Sequence, residues 1–210
     1  MKLIQIYNTF EGDNIKCGFP TKRSLLDFWK KTTAIHNENY DVTIYTDSVG
    51  YEVIKDVLPV NIEVIDFENI DDRYYSIGKL QVYKLQTEPF IMVDPDAVLY
   101  DKLESLQEDI YLERFRSGIF GKYLKEYNLK PIDKLPGIPC TGLEGFKDPN
   151  KAIEYADQVL NKIKNSFIRE VDFDALWHVE EITLANYIED NGLTYNVFNH
   201  YLHLQGGLKK

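Results

Sequence analysis

Through its first hundred residues the chain alternates short β-branched or aromatic runs with segments of helical period, and that alternation permits few folds. Residues 3–7 read as a strand. Residues 23–35 read as a helix, because Leu25, Phe28, Trp29 and Thr32 recur at helical spacing. Residues 41–46, DVTIYT, form a second strand, and residues 53–57 suggest a short helix. A strand follows at residues 61–66, NIEVID. A helix over residues 76–87 then carries Ile77, Leu80 and Tyr83 on one face. Residues 89–93, PFIMV, are apolar throughout, as in a strand buried on both sides. Strands that alternate with helices predict an α/β fold, a Rossmann-like, mainly parallel sheet flanked by helices.

The second half is less regular. Residues 123–127 suggest a short helix, and residues 130–145, with three Pro and three Gly, read as loop. Asp148-Pro149 is a helix start, with Asp as cap and Pro in the first turn. The stripe Ala152, Ile153, Ala156, Val159, Leu160 and Ile163 follows it. A further helix spans residues 179–188 and ends near Asn191-Gly192, and residues 194–198 form a late strand.

At 210 residues the chain suits a single domain. Its 34 acidic and 24 basic residues give a net charge of −10, which disfavours sequence-independent binding of nucleic acid. No C-x-x-C occurs, and Cys17 and Cys140 read as free thiols in a reducing compartment. The N-terminus lacks the apolar core of a signal peptide, and no apolar run approaches the ~20 residues of a membrane helix. The expectation is a cytoplasmic protein without a membrane span.

Directly after PFIMV the chain reads Asp94-Pro95-Asp96. Ligands of open α/β sheets bind beyond the carboxyl ends of the strands, and two carboxylates one residue apart at such an end can share a hard cation. Mg²⁺ or Mn²⁺ suits oxygen ligands and keeps positions open for phosphate and water. The competing reading is a polar strand-to-turn exit, for which Asp and Pro are ordinary residues. Residues 203–209 read HLQGGLK, a second feature that could serve a phosphate site or be a frayed tail.

The order Gly78-Lys79-Leu80, PFIMV, Asp94-Pro-Asp96 and the closing H-x-x-G-x-x-K resembles the GT-A-fold glycosyltransferases, and family 8 in particular. The resemblance implies a single GT-A-like domain. Residues 1–100 would be a nucleotide-binding half ending in D-x-D, and residues 101–210 an acceptor and sugar half. It implies Asp94, Asp96 and His203 as ligands of Mn²⁺ or Mg²⁺, with Gly206 and Lys209 against the diphosphate of a UDP-sugar donor. By position it places Tyr7 and Thr9 near the base, and Lys79, Thr141 and Gly142 near the donor, although the family's Asn-Ala-Gly is not intact there. Glu180 and Glu181 would face the sugar carbon. Read from the residues alone, they are first-turn helix residues offsetting the helix dipole, and that is the favoured reading. Lys79 reads equally as a surface lysine. The acceptor would be a saccharide, a protein or a small molecule, and transfer would proceed with retention.

Three other readings stand beside this one. Asp94-Pro-Asp96-Ala-Val98 also spells the motif of haloacid-dehalogenase-like phosphatases, but those carry it on their first strand. A sugar nucleotidyltransferase would want a Gly-rich, basic loop after the first strand, where this chain reads NTFEGDN. A non-catalytic nucleotide-sugar-binding module would keep the donor residues without transfer. Asp172-Phe-Asp174 repeats the D-x-D spelling with no apolar strand before it and reads as loop. His36, His178 and His200 read as ordinary polar residues.

Overall fold

The structure, a computed structural model, describes residues 1–7, 21–67, 77–117, 124–125, 127–165 and 173–204. Its strands are β1 (Lys2–Tyr7), β2 (Asp41–Thr46), β3 (Asn61–Val64), β4 (Phe90–Val93), β5 (Ala97–Leu99), β6 (Ile110–Leu112), β7 (Phe115–Arg116), β8 (Ile138–Pro139), β9 (Leu143–Phe146), β10 (Tyr195–Val197) and β11 (Tyr201–His203). The helices are α1 (Lys22–Asn37), α2 (Ser48–Ile54), α3 (Ile77–Tyr83), α4 (Pro149–Lys164) and α5 (Phe173–Asn191).

Seven strands form the central sheet in the order β10-β6-β9-β4-β1-β2-β3. All neighbours are parallel except β9, which runs antiparallel to both β4 and β6. The expected α/β architecture is therefore present, a single domain with a mostly parallel sheet flanked by helices. β4 lies inside the sheet, and its alternation feeds two cores. Phe90 and Met92 pack with the α3, α4 and α5 side chains, including Leu80, Tyr83, Tyr155 and Ile182. Ile91 and Val93 face a second cluster with Leu3, Val42, Leu99 and Leu143.

Several elements differ from the sequence-based expectation. The helix expected at 53–57 lies earlier, at α2, because Asp47 caps it and accepts from the Gly50 N–H at 2.7 Å. The stretch 130–145 is not all loop: it contains β8 and the start of β9, a buried central strand. Gly145 and Glu144 weaken the strand signal of LEGF. Gly145 is needed there because a Cβ would come within 3.1 Å of Tyr111 Cβ and 3.3 Å of Leu106. The last helix, α5, starts at Phe173, six residues before the expected Val179, so Asp174 is helical and not loop. Of residues 123–127, Leu124 and Lys125 are helical, while 123 and 126 lie outside the described residues. α4 matches expectation: Asp148 caps it, and Ala152, Tyr155, Ala156, Val159 and Ile163 are buried.

One departure from the main sheet sets up the site. After Asp94-Pro95-Asp96 the chain enters β5, which pairs antiparallel with β11 with His203 opposite Ala97. Asp101 pins this return. Its carboxylate accepts from the Asn199 and His200 N–H groups at 2.9 and 3.2 Å and lies 2.7 Å from His200 Nδ1.

Candidate metal centre

The carboxyl end of β4 and the end of β11 bring three of the expected ligands together. One ligand atom each from Asp94, Asp96 and His203 lies within 4.8 Å of the other two. Asp94 is held by its own N–H, which donates to the Gly142 carbonyl at 2.9 Å, and by its carbonyl, which accepts from Ala97 N–H at 2.9 Å. The Asp96 carbonyl accepts from Leu204 N–H at 3.1 Å, tying the turn to the last strand.

His203 is oriented from both sides. Its Nδ1 lies 2.8 Å from Glu113 Oε2 and its Nε2 3.4 Å from Asp96 Oδ1. Burial alone would lower its pKa, but the hydrogen bonds to Asp96 and Glu113 and the Asp94 charge lift it to about 10. Burial pushes the Asp94 carboxyl up to about 7, opposed by the Lys79 charge and reinforced by Asp96. Two carboxylates that repel each other beside an imidazole with one outward nitrogen suit a divalent cation. His203 Nε2 and Asp96 Oδ1 are 3.4 Å apart, and no two of the three ligand atoms are more than 4.8 Å apart, a spacing close to that of ligands around one small divalent ion. The donor set therefore fits Mn²⁺ or Mg²⁺.

Below the aspartates lies a buried charge cluster. Lys79 is 8% exposed, which overturns its reading as a surface lysine. Its ammonium donates to the Thr141 carbonyl at 2.9 Å, lies 3.4 Å from Glu144 Oε2 and pairs closely with Glu180. Burial opposes the Lys79 charge, yet Glu180, Glu144 and Asp94 outweigh it and raise the pKa above the usual lysine value. Burial raises Glu144 to about 8 against the pull of Lys79. The Tyr83 hydroxyl donates to Glu144.

Glu180 and Glu181 are not first-turn residues; both sit buried in the middle of α5. Glu180 faces Lys79. Glu181 pairs with Arg116 and lies 3.9 Å from His178 Nδ1. Thr141 and Gly142 lie between β8 and β9, where their carbonyls hold Lys79 and Asp94. Tyr7 ends β1, the parallel neighbour of β4, so it shares the sheet edge of Asp94. Its ring packs tilted against Trp29, the centroids 5.4 Å apart. Cys17, Thr9, Asp172, Gly206 and Lys209 lie outside the described residues. Cys140 is buried, and burial pushes its thiol pKa up.

Glu113, Glu144 and Arg116 were not singled out from the sequence. The signal available was a carboxylate inside or at the end of an apolar run, in IYLE and LEGF, where an exposed charge would be out of place.

No curated protein matches the sequence. The fold is similar to that of several solved structures. With the 4-diphosphocytidyl-2C-methyl-D-erythritolsynthase from Anaerococcus prevotii DSM 20548 the TM-score is 0.52 at 13% identity, covering 100% of this chain and 90% of the other. With the inositol-1-phosphate CTP transferase from T. maritima it is 0.54 at 11% identity, covering 98% and 89%. With the PaToxG glycosyltransferase it is 0.52 at 15% identity, covering 91% and 70%. At these identities the likeness establishes the fold, one shared by nucleotidyltransferases and glycosyltransferases. Among the described residues no helix is long and apolar enough to cross a membrane. Residues 1–112, more than half of the chain, match the family of unknown function DUF6734, and the protein belongs to that family.

Proposed function

We propose that this protein is a metal-dependent glycosyltransferase that moves a sugar from a UDP-sugar to an acceptor hydroxyl. The observation that carries the reading is the convergence of Asp94, Asp96 and His203, from chain positions over a hundred residues apart, at the carboxyl end of β4. These residues would hold Mn²⁺ or Mg²⁺. When bound, the ion supplies positive charge to the diphosphate leaving group.

The remaining roles follow from position. Residues 1–100 form the nucleotide half, with Tyr7 and Thr9 on the base side. Residues 101–210 form the sugar and acceptor half. Lys79 pairs with the buried Glu180 carboxylate, and Glu180 and Glu181, adjacent on one helix, are the groups that would face the sugar carbon. Thr141 and Gly142 would serve the donor side, and Gly206 and Lys209 are assigned to the diphosphate by the family-8 resemblance of HLQGGLK alone. The acceptor is a saccharide, a protein or a small molecule, and retention of configuration is the expectation inherited from family 8.

A second reading, sugar nucleotidyl transfer, is favoured by the fold likeness to the inositol-1-phosphate CTP transferase. The presence of a histidine beside the two aspartates supports glycosyl transfer over it. One assay separates them. Incubation with a panel of UDP-hexoses and Mn²⁺ should release UDP, and Asp96→Asn should stop the release. Diphosphate release from CTP and a sugar phosphate, without UDP release, would favour the second reading.

A further inference from the structure

We infer that Glu113 is the positioning residue of His203, and that Gly142 is a glycine to leave room for their pairing. Glu113 follows β6, is fully buried, and places Oε2 2.8 Å from His203 Nδ1. That bond occupies the ring nitrogen that faces away from Asp96 and leaves Nε2, 3.4 Å from Asp96, as the only ring nitrogen on the side of the aspartates. A ligating histidine commonly gives its second nitrogen to a carboxylate, which sets both ring orientation and tautomer. Burying a carboxylate costs several kcal/mol unless it is well paired, so a fully buried Glu113 with no function would be replaced at little loss by an apolar side chain.

Gly142 is an independent observation of the same arrangement. A Cβ there would stand 2.2 Å from His203 Cε1, 2.6 Å from its Nδ1 and 2.8 Å from Glu113 Oε2. Any side chain would enter the contact between the two partners. Three segments thus meet at one imidazole: the end of β6, the approach to β9, and β11. Arg114 Nε, 3.4 Å from Glu113 Oε1, steadies the other carboxylate oxygen.

This role presupposes the cation site proposed above only in the use to which His203 is put. The test measures Mn²⁺ affinity of the full chain by water-proton relaxation for the wild type, Glu113→Ala, Glu113→Gln and Gly142→Ala, each also in a His203→Ala background. Removing an outer partner of a metal ligand typically costs 10–100-fold in affinity, so Glu113→Ala should lose roughly that much. Glu113→Gln keeps an acceptor oxygen and should lose less, and Gly142→Ala should resemble Glu113→Ala. In the His203→Ala background all three losses should vanish, because the coupling runs through that ring. Equal losses in both backgrounds, or no loss in either, would overturn the inference.

If the wild type binds no Mn²⁺, the cation site fails and the pairing is judged separately by proton NMR of the metal-free protein. A low-field His203 Nδ1–H resonance, present in the wild type and absent in Glu113→Ala, sustains the positioning role. Its absence from the wild type removes it.

Discussion

The core beneath α1 and α2 and the core beneath α3 and α5 are made of different materials. Under α1 and α2, Trp29, Ile44, Ile54 and Leu58 pack together, and the buried polar side chains bonded there include Gln5 and Thr33. Trp29 Nε1 donates to Gln5 Oε1 at 2.9 Å, and Thr33 shares that acceptor at 3.3 Å. His36, also fully buried, is pushed down to about 4 by burial, and its Nε2 accepts from the Leu99 N–H at 3.0 Å. Under α3 and α5, Lys79, Glu144 and Glu180 are buried together, the ammonium against the two carboxyl groups. Beyond them Asp96, Glu113 and His203 continue the pattern to the surface. His36 and His203 sit on either side of the three-residue strand β5, yet the first has its pKa lowered and the second, in the metal-free protein, has it raised. What differs is the set of neighbours: a backbone N–H for His36, carboxylates for His203. Buried charge is costly to build, and here it is concentrated where a cation and a diphosphate would be handled.

That contrast can be broken most severely at Lys79. Lys79→Met leaves Glu144 and Glu180 without their cation and should cost about 3–5 kcal/mol in urea unfolding at neutral pH, the usual result of breaking a buried ion pair. A loss under 1 kcal/mol would mean that the two carboxylates are protonated or hydrated without it. Next in size is the metal site. His203→Ala removes a proposed direct ligand and should weaken Mn²⁺ binding by more than the roughly 100-fold that losing an outer partner can cost. His36→Gln should leave Mn²⁺ affinity untouched, and a matching loss there would erase the distinction between the two histidines.

The pH dependence sharpens the same pair. A histidine whose folded pKa is depressed gives stability above its unfolded pKa, and that stability is lost as pH falls toward the folded value. For His36 the window runs from 6.5 down to about 4 and amounts to on the order of 3 kcal/mol. Urea titrations of the wild type against His36→Gln should differ by this slope and converge below pH 4. His203 tilts the other way in metal-free protein. Its folded pKa is raised, so its contribution is complete below 6.5 and disappears as pH rises through about 10. The smallest effect belongs to the exposed pair of Lys84 and Asp157, 2.6 Å apart and each nearly half exposed. Lys84→Ala should change stability by less than about 1 kcal/mol, against the much larger cost at Lys79 five residues earlier.

The strands and helices up to Val93 were legible because their apolar spacing is set by the same burial that holds the fold together. Asp94 and Asp96 were legible because they break an apolar strand at the end where ligands bind, and His203 because its spacing resembled a known tail. β9 was hidden by the Pro- and Gly-rich residues before it and by Glu144 within it. A charged residue in a central strand makes sense only once Lys79 and Tyr83 are seen opposite. Glu113 was hidden for a similar reason: its partner His203 is ninety residues away and meets it only through β11, a strand of three residues. Lys79 was ambiguous because helical spacing does not say whether a lysine at a short helix's start points outward or toward carboxylates contributed by β9 and α5.

The most direct test is calorimetric titration of UDP into the protein with Mn²⁺ and then with EDTA, repeated on Asp96→Asn. Binding that requires Mn²⁺ and is lost in Asp96→Asn is the result expected of a donor site built on Asp94, Asp96 and His203. Folded protein that binds no UDP with or without Mn²⁺, or that binds equally well in EDTA, would contradict it.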